Sequence, residues 1–208
     1  NYDTDAFTAL IAKAAELAGV TIGSDEEVDV ALRVIADHAR ATGFLIADGV
    51  MPSNEERGYV LRRVMRRAIR YGVKVGLNKP FLWQVVDVLV QTMGDHYGEL
   101  KQRADFVREV VRGEEERFRE TLDKGLQLLD QAFSDLEAHG QLPGDVAFKL
   151  HDTFGFPLDL TRLIAEERNY TVDEEGYAQA MEAQRAAGRA AWKGSGEEAE
   201  SDIYHQLA

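Results

Sequence analysis

Apolar residues recur with a helical period along most of this chain, and only four prolines interrupt it. A spacing of about 3.6 residues lines apolar side chains along one face of a helix, which the two-residue alternation of a strand cannot do. The expected fold is therefore mainly α: an irregular helical bundle with one long helix or helix pair and minor short extended segments. Residues 3–19 carry Phe7, Leu10, Ile11, Ala14 and Leu17, and Gly19 is a natural stop. Ser24 followed by Glu27 has the spacing of a capping box and opens a helix to about Thr42, striped by Leu32, Ile35 and Ala39 beside Val28 and Ala31. Residues 44–50 read as a short extended piece with a turn at Asp48-Gly49. Residues 80–93 space Phe81, Leu82, Val85, Val86, Leu89 and Met93 on one face, dense enough for a well-buried helix. Over 99–138 the period runs from Phe106 to Leu136, with a bend expected at the polar stretch from Gly113 to Arg117. Leu142-Pro143-Gly144 is a turn cluster, and Val146 to Leu150 is a short apolar segment. Pro157 suits the first turn of a helix to about Arg168, another helix covers 173–192, and 193–201 has a linker's composition.

Charge is distributed unevenly. The chain carries a net charge of -13, which taken globally argues against a phosphate-rich partner. Residues 57–86, however, contain Arg57, Arg62, Arg63, Arg66, Arg67, Arg70, Lys74 and Lys79 and no acid. Steering follows local potential rather than net charge, so this is one basic patch on an acidic body.

The patch sits on a helix expected over 54–71. Ser53 and Glu56 form a second capping-box pair, leaving Asn54 at the first helical position and at the positive end of the helix dipole. At 100° per residue, Arg62, Arg63, Arg66, Arg67 and Arg70 cluster on one side, while Leu61, Val64, Met65, Ala68 and Ile69 fall on the other. The residues alone leave two readings. One is a solvated face paired to neighbouring acids. The other is a phosphate clamp, favoured by the planar fork of Arg and by the lack of acids within the helix for i,i+4 pairing.

Longer blocks carry a more specific signal. Residues 46–68, containing Pro52-Ser53-Asn54-Glu55-Glu56-Arg57-Gly58-Tyr59, resemble a segment of the alanyl-tRNA synthetases, a class II family. His151-Asp152-Thr153-Phe154-Gly155-Phe156-Pro157-Leu158-Asp159-Leu160-Thr161 is similar to a second block of that family. Asn1 to Phe7 resembles the stretch after the last catalytic motif, and Trp192 to Gly196 the exit toward an editing domain. The resemblance implies a helical tRNA acceptor-stem recognition domain over 1–192, with two subdomains splitting near 95–140. It makes 193–208 a linker toward an editing domain outside this chain. It assigns base recognition of a G·U wobble pair to Asn54 and Asp152, and backbone contact falls to Arg57, Arg62, Arg63, Arg66, Arg67 and Arg70. Without the resemblance, Asn54 is only a helix-start residue, Asp152 only a turn or capping residue, and Phe154, Phe156 and Tyr59 are packing residues. Position 56 often holds Gly, Asn or another small residue in the family, and Glu56 departs from that pattern.

The resemblance also implies a parent alanine–tRNA ligase that uses ATP with Mg and carries Zn in its editing domain. A fragment opening on Asn1 is expected to need no cofactor and to be inactive alone. The expected partners are the tRNA(Ala) acceptor stem and the parent's catalytic and editing domains; the oligomeric state is unknown. The absence of cysteine excludes disulfides and thiolate metal sites. No apolar run approaches the ~18 residues of a membrane span, and the polar, acidic first residues are unlike a signal peptide, so a cytoplasmic setting is expected. The five histidines show no metal-ligand spacing, no Gly-rich phosphate loop occurs, and the Glu114-Glu115 pair is expected on a solvated face. The competing reading is a non-catalytic acidic helical scaffold that docks an acidic protein through its Arg face.

Overall fold

The computed structural model describes residues 2–191. The linker expected over 193–208 and the block beginning at position 192 lie outside the described residues. Helix α1 (Asp5–Ala18) ends on Gly19 in the left-handed conformation, as its sequence predicts. Helix α2 (Glu26–Ala47) is capped by Asp25, whose side chain accepts from the Val28 amide at 3.0 Å. The Ser24–Glu27 box does not form, because the Ser24 hydroxyl donates instead to the Thr21 carbonyl. α2 also absorbs most of the segment expected to be extended. Thr42, Gly43, Ile46 and Ala47 are buried on the face begun by Ile35 and Ala39, and that burial carries the helix to the Asp48-Gly49 turn.

Helices α3 (Glu56–Lys74), α4 (Leu82–Met93), α5 (Gly98–Gln102) and α6 (Ala104–Ser134) follow. α3 begins two residues later than expected and ends three later. α6 runs unbroken for 31 residues with no element boundary at Gly113. Its buried residues Val107, Val111, Phe118, Leu122 and Leu129 form a continuous stripe that neighbours cover from end to end. Glu114 and Glu115 lie on that stripe and are fully buried, which corrects the expected solvated face. The remaining elements are β1 (Gln141–Leu142), α7 (Gly144–Phe154), α8 (Leu158–Glu167), β2 (Thr171–Val172) and α9 (Glu174–Ala191). The short apolar segment at 146–150 is the middle of α7. The two strands pair in parallel, Gln141 with Thr171 and Leu142 with Val172.

α1, α2 and α4 pack against one another through Leu10, Ala14, Leu32, Ile35, Val85 and Leu89, all at most 1% exposed. Each large aliphatic side chain buried this way is worth about 1.5–3 kcal/mol. α3 lays Leu61, Met65, Ala68 and Ile69 against this group. α6 packs on α4 and also on α7, and α7 in turn carries α8 and α9. Among the described residues, no helix is long and apolar enough to cross a membrane.

Candidate nucleic-acid interface

Asn54 lies in the turn before α3, and its position rests on Gly58. A Cβ at Gly58 would collide with the Ser53 hydroxyl and the Met51 carbonyl, so only glycine lets the 51–53 segment lie against the helix. The Ser53–Glu56 capping box does not form. Ser53 Oγ instead exchanges hydrogen bonds with the backbone of Glu55, which occupies the cap position without using its side chain. Glu56 enters the helix at φ 48°, a left-handed conformation that Gly and Asn tolerate and other residues resist.

Asp152 sits in the last turn of α7, exposed, three residues before Gly155, which ends the helix in the left-handed conformation at φ 69°. Asn54 and Asp152 are far apart in sequence but line the same open cleft of about 990 Å³. Tyr59, Arg62 and Arg66 of α3, Arg117 and Thr121 of α6, His151 of α7, and Tyr177, Gln184 and Arg185 of α9 also line it, together with the acids Glu55 and Glu56. The His151 ring packs between Tyr59 and Tyr177, with centroids 6.4 and 5.8 Å away. Its Nδ1 is buried without a partner among the described residues. Burial holds the His151 imidazole below its ordinary value of 6.5, and raises the Tyr177 phenol to about 12. Both are therefore neutral at pH 7.

Each candidate base-reading side chain has one oxygen in use. Arg62 Nη1 donates to Asn54 Oδ1. An Arg has only donors, so this contact fixes which way the amide faces and leaves its NH₂ group available. Gln184 Nε2 donates to Asp152 Oδ1 at 2.6 Å, leaving Oδ2 as an acceptor.

The arginine face is not an open row of cations. Arg66 donates to Glu114 Oε1 through Nη2 at 2.8 Å and Nε at 3.2 Å, and its Nη1 donates to the Gly155 carbonyl. Its guanidinium also lies over the Phe118 ring, 4.9 Å from the centroid. Arg62 Nη2 donates to Glu114 Oε2 at 3.3 Å. Arg63 faces Asp159 at 3.8 Å, and Arg70 faces Glu167 at 3.3 Å. The lack of acids within α3 therefore did not leave its arginines unpaired, because the acids come from α6 and α8. Arg57 is exposed, and neither it nor Arg67 is paired with an acid among the described residues. Arg117 and Arg185, which sequence reasoning did not single out, add cations to the cleft, and Arg117 keeps 68% of its side chain exposed. Nothing in their local sequence marks them, since residues of α6 and α9 come to line one cleft with α3 only through the tertiary fold. Among the described residues, no three His, Asp or Glu side chains are arranged to hold a metal.

Residues 1–208 match the family described as class II (A) tRNA synthetases. The alanine–tRNA ligase of Nitratidesulfovibrio vulgaris is 53% identical over 199 residues, covering 95% of this chain and 23% of that protein. That of Acidithiobacillus ferridurans is 51% identical over 208 residues, covering all of this chain and 24% of that protein. That of Jannaschia sp. is 50% identical over the same length and 23% of that protein. The chain thus spans about a quarter of the length of the curated relatives it matches.

Proposed function

The chain belongs to the class II (A) tRNA synthetase family, and on that footing we propose that it is the tRNA-reading part of an alanine–tRNA ligase. In this reading it binds the tRNA(Ala) acceptor stem and recognises a G·U wobble pair through Asn54 and Asp152. The observation that carries it is the shared cleft, in which two polar side chains from distant parts of the chain face one space walled by Arg62, Arg66, Arg117 and Arg185. The chemistry matches the task. An A-form stem offers a wide, shallow minor groove. There the guanine 2-amino group is the donor that marks a G-containing pair. In a wobble pair that amino group lacks its usual carbonyl partner, so a protein acceptor such as Asp152 Oδ2 is favoured. The Asn54 NH₂ group supplies the complementary donor.

Phosphate contact, which positions the stem without reading it, falls in this reading most directly to Arg57, Arg67, Arg117 and Arg185. Arg62, Arg63, Arg66 and Arg70 contribute charge while anchored to acids of the fold. None of this chain's proposed contacts runs through the ATP, magnesium and zinc implied for a parent ligase. The chain alone is proposed neither to activate alanine nor to deacylate tRNA.

Titration with acceptor-stem hairpins tests the proposal. G·U is expected to bind more tightly than G·C by about 1–3 kcal/mol, and Asn54→Ala or Asp152→Ala should erase most of that difference. Equal binding of the two stems by the wild type would remove base recognition and leave an electrostatic module.

A further inference from the structure

Both arms of the cleft lead back to one buried carboxylate. Glu114 has no exposed side-chain surface, and all of its partners are arginines. Its Oε2 receives Arg62, whose other terminal nitrogen holds Asn54 Oδ1. Its Oε1 receives Arg66, whose remaining nitrogen holds the Gly155 carbonyl at the end of the helix that carries Asp152. Gly155 is fitted to that contact, since a Cβ there would collide with the Arg66 guanidinium. Arg117 closes the group from the cleft side, 3.5 Å from Oε2.

We propose that Glu114 is a positioning residue that fixes the spacing of Asn54 and Asp152 across the cleft, and so sets base discrimination without touching RNA. This inference rests on the reading of Asn54 and Asp152 proposed above. Long arginine side chains have many rotamers, and a guanidinium presents its donors in a rigid planar fork. Clamping one edge of the fork on a buried carboxylate therefore aims the other edge at a single point. Arg62 is aimed at the turn before α3, and Arg66 at the end of α7. Without the carboxylate both forks lose their common anchor, and the two reading groups move independently.

The adjacent Glu115 is the internal control. It is equally buried, but it accepts from the backbone amides of Phe81 and Leu82 at the start of α4 and from Arg119, none of which lines the cleft, whereas the arginines on Glu114 do. The experiment compares Glu114→Gln and Glu115→Gln in the 208-residue chain, measuring the melting temperature and the ratio of G·C to G·U hairpin dissociation constants. Both variants are expected to melt earlier. Only Glu114→Gln should lower the ratio, by about tenfold, while its affinity for the G·C hairpin stays within a few-fold of wild type. If Glu114→Gln does not fold, Glu114→Asp, which keeps the charge but shortens the side chain by one methylene, takes its place with the same expected loss. An unchanged ratio in the Glu114 variant, or an equal loss in the Glu115 variant, overturns the inference while leaving the proposed function standing. A wild-type ratio of one overturns both.

Discussion

The seam among α1, α2 and α4 and the seam joining α3 to α6, α7 and α8 are closed by different forces. The first is a meeting of alanines, leucines, isoleucines and valines with almost no exposed surface. It is non-directional, and any side chain of suitable volume fills it. The second uses Arg62 and Arg66 on Glu114, Arg63 on Asp159, and Arg70 on Glu167. Charge pairs of this kind are directional, and desolvation offsets much of their attraction. They contribute modestly to net stability but define where side chains point. The candidate site lies on the second seam.

The largest expected effect breaks that seam at its centre. Glu114→Ala should cost about 3–5 kcal/mol in urea denaturation, because it strands buried guanidinium charge. Leu32→Ala in the apolar seam should cost about 2–5 kcal/mol through the cavity it leaves. The two losses are similar, and rescue distinguishes them. Replacing Arg62, Arg66 and Glu114 together with Met, Met and Leu should recover most of the stability, since an apolar cluster can substitute for a buried ionic one. A triple variant as unstable as Glu114→Ala would mean that the seam depends on charge for stability as well as for aim.

Acidification should have the next largest effect. Burial lowers the affinity of the His151 and His38 imidazoles for a proton below the ordinary 6.5. Below that value the unfolded chain takes up protons that the folded chain refuses, so stability falls as pH falls. Glu115 acts in the opposite sense: burial raises its carboxyl above 4.5, so from there upward the folded state is the stronger proton binder. The diagnostic measurement is therefore the difference between wild type and a His38→Gln, His151→Gln variant. The variant should lose less melting temperature on acidification below 6.5, and parallel curves would refute the assignment.

A smaller gain is expected at the entry to α3. The left-handed conformation costs an L-residue about 1–2 kcal/mol, and glycine's extra flexibility returns part of that difference. Glu56→Gly should therefore stabilise the chain by about 0.5–1 kcal/mol, and a lower melting temperature would show that the Glu56 side chain makes a compensating contribution. The smallest effect on stability, within about 0.5 kcal/mol, is expected for Arg57→Ala. The same change should flatten the salt dependence of hairpin binding by about one unit of log–log slope. Arg57 would then belong to the interface and Arg66 to the seam, although both lie on one helix.

Much of the fold was legible because helical periodicity is a local signal. The spans of α1 and α4 were readable from apolar spacing, and Gly19 and Pro157 marked boundaries through their own backbone preferences. Capping was less legible: Ser24 and Ser53 had the right spacing, but Asp25 took one cap and Glu55, without a side-chain cap bond, the other. Asn54 and Asp152 were singled out by resemblance, not by any property of their immediate neighbours. Arg117, Gln184 and Arg185 were missed because membership of a cleft has no local signature.

By itself the sequence determined most of the helices, the apolar stripes and the presence of a basic face, because each depends on residues within a few turns of one another. Whether that basic face was open or occupied was decided only by tertiary structure. Glu114 and Glu115 in a polar run look solvated, yet their helix turns them inward, one onto the arginines of α3 and the other onto the start of α4. A charge's partner is set by distance in space, and the Coulomb term that holds it carries no trace in sequence spacing.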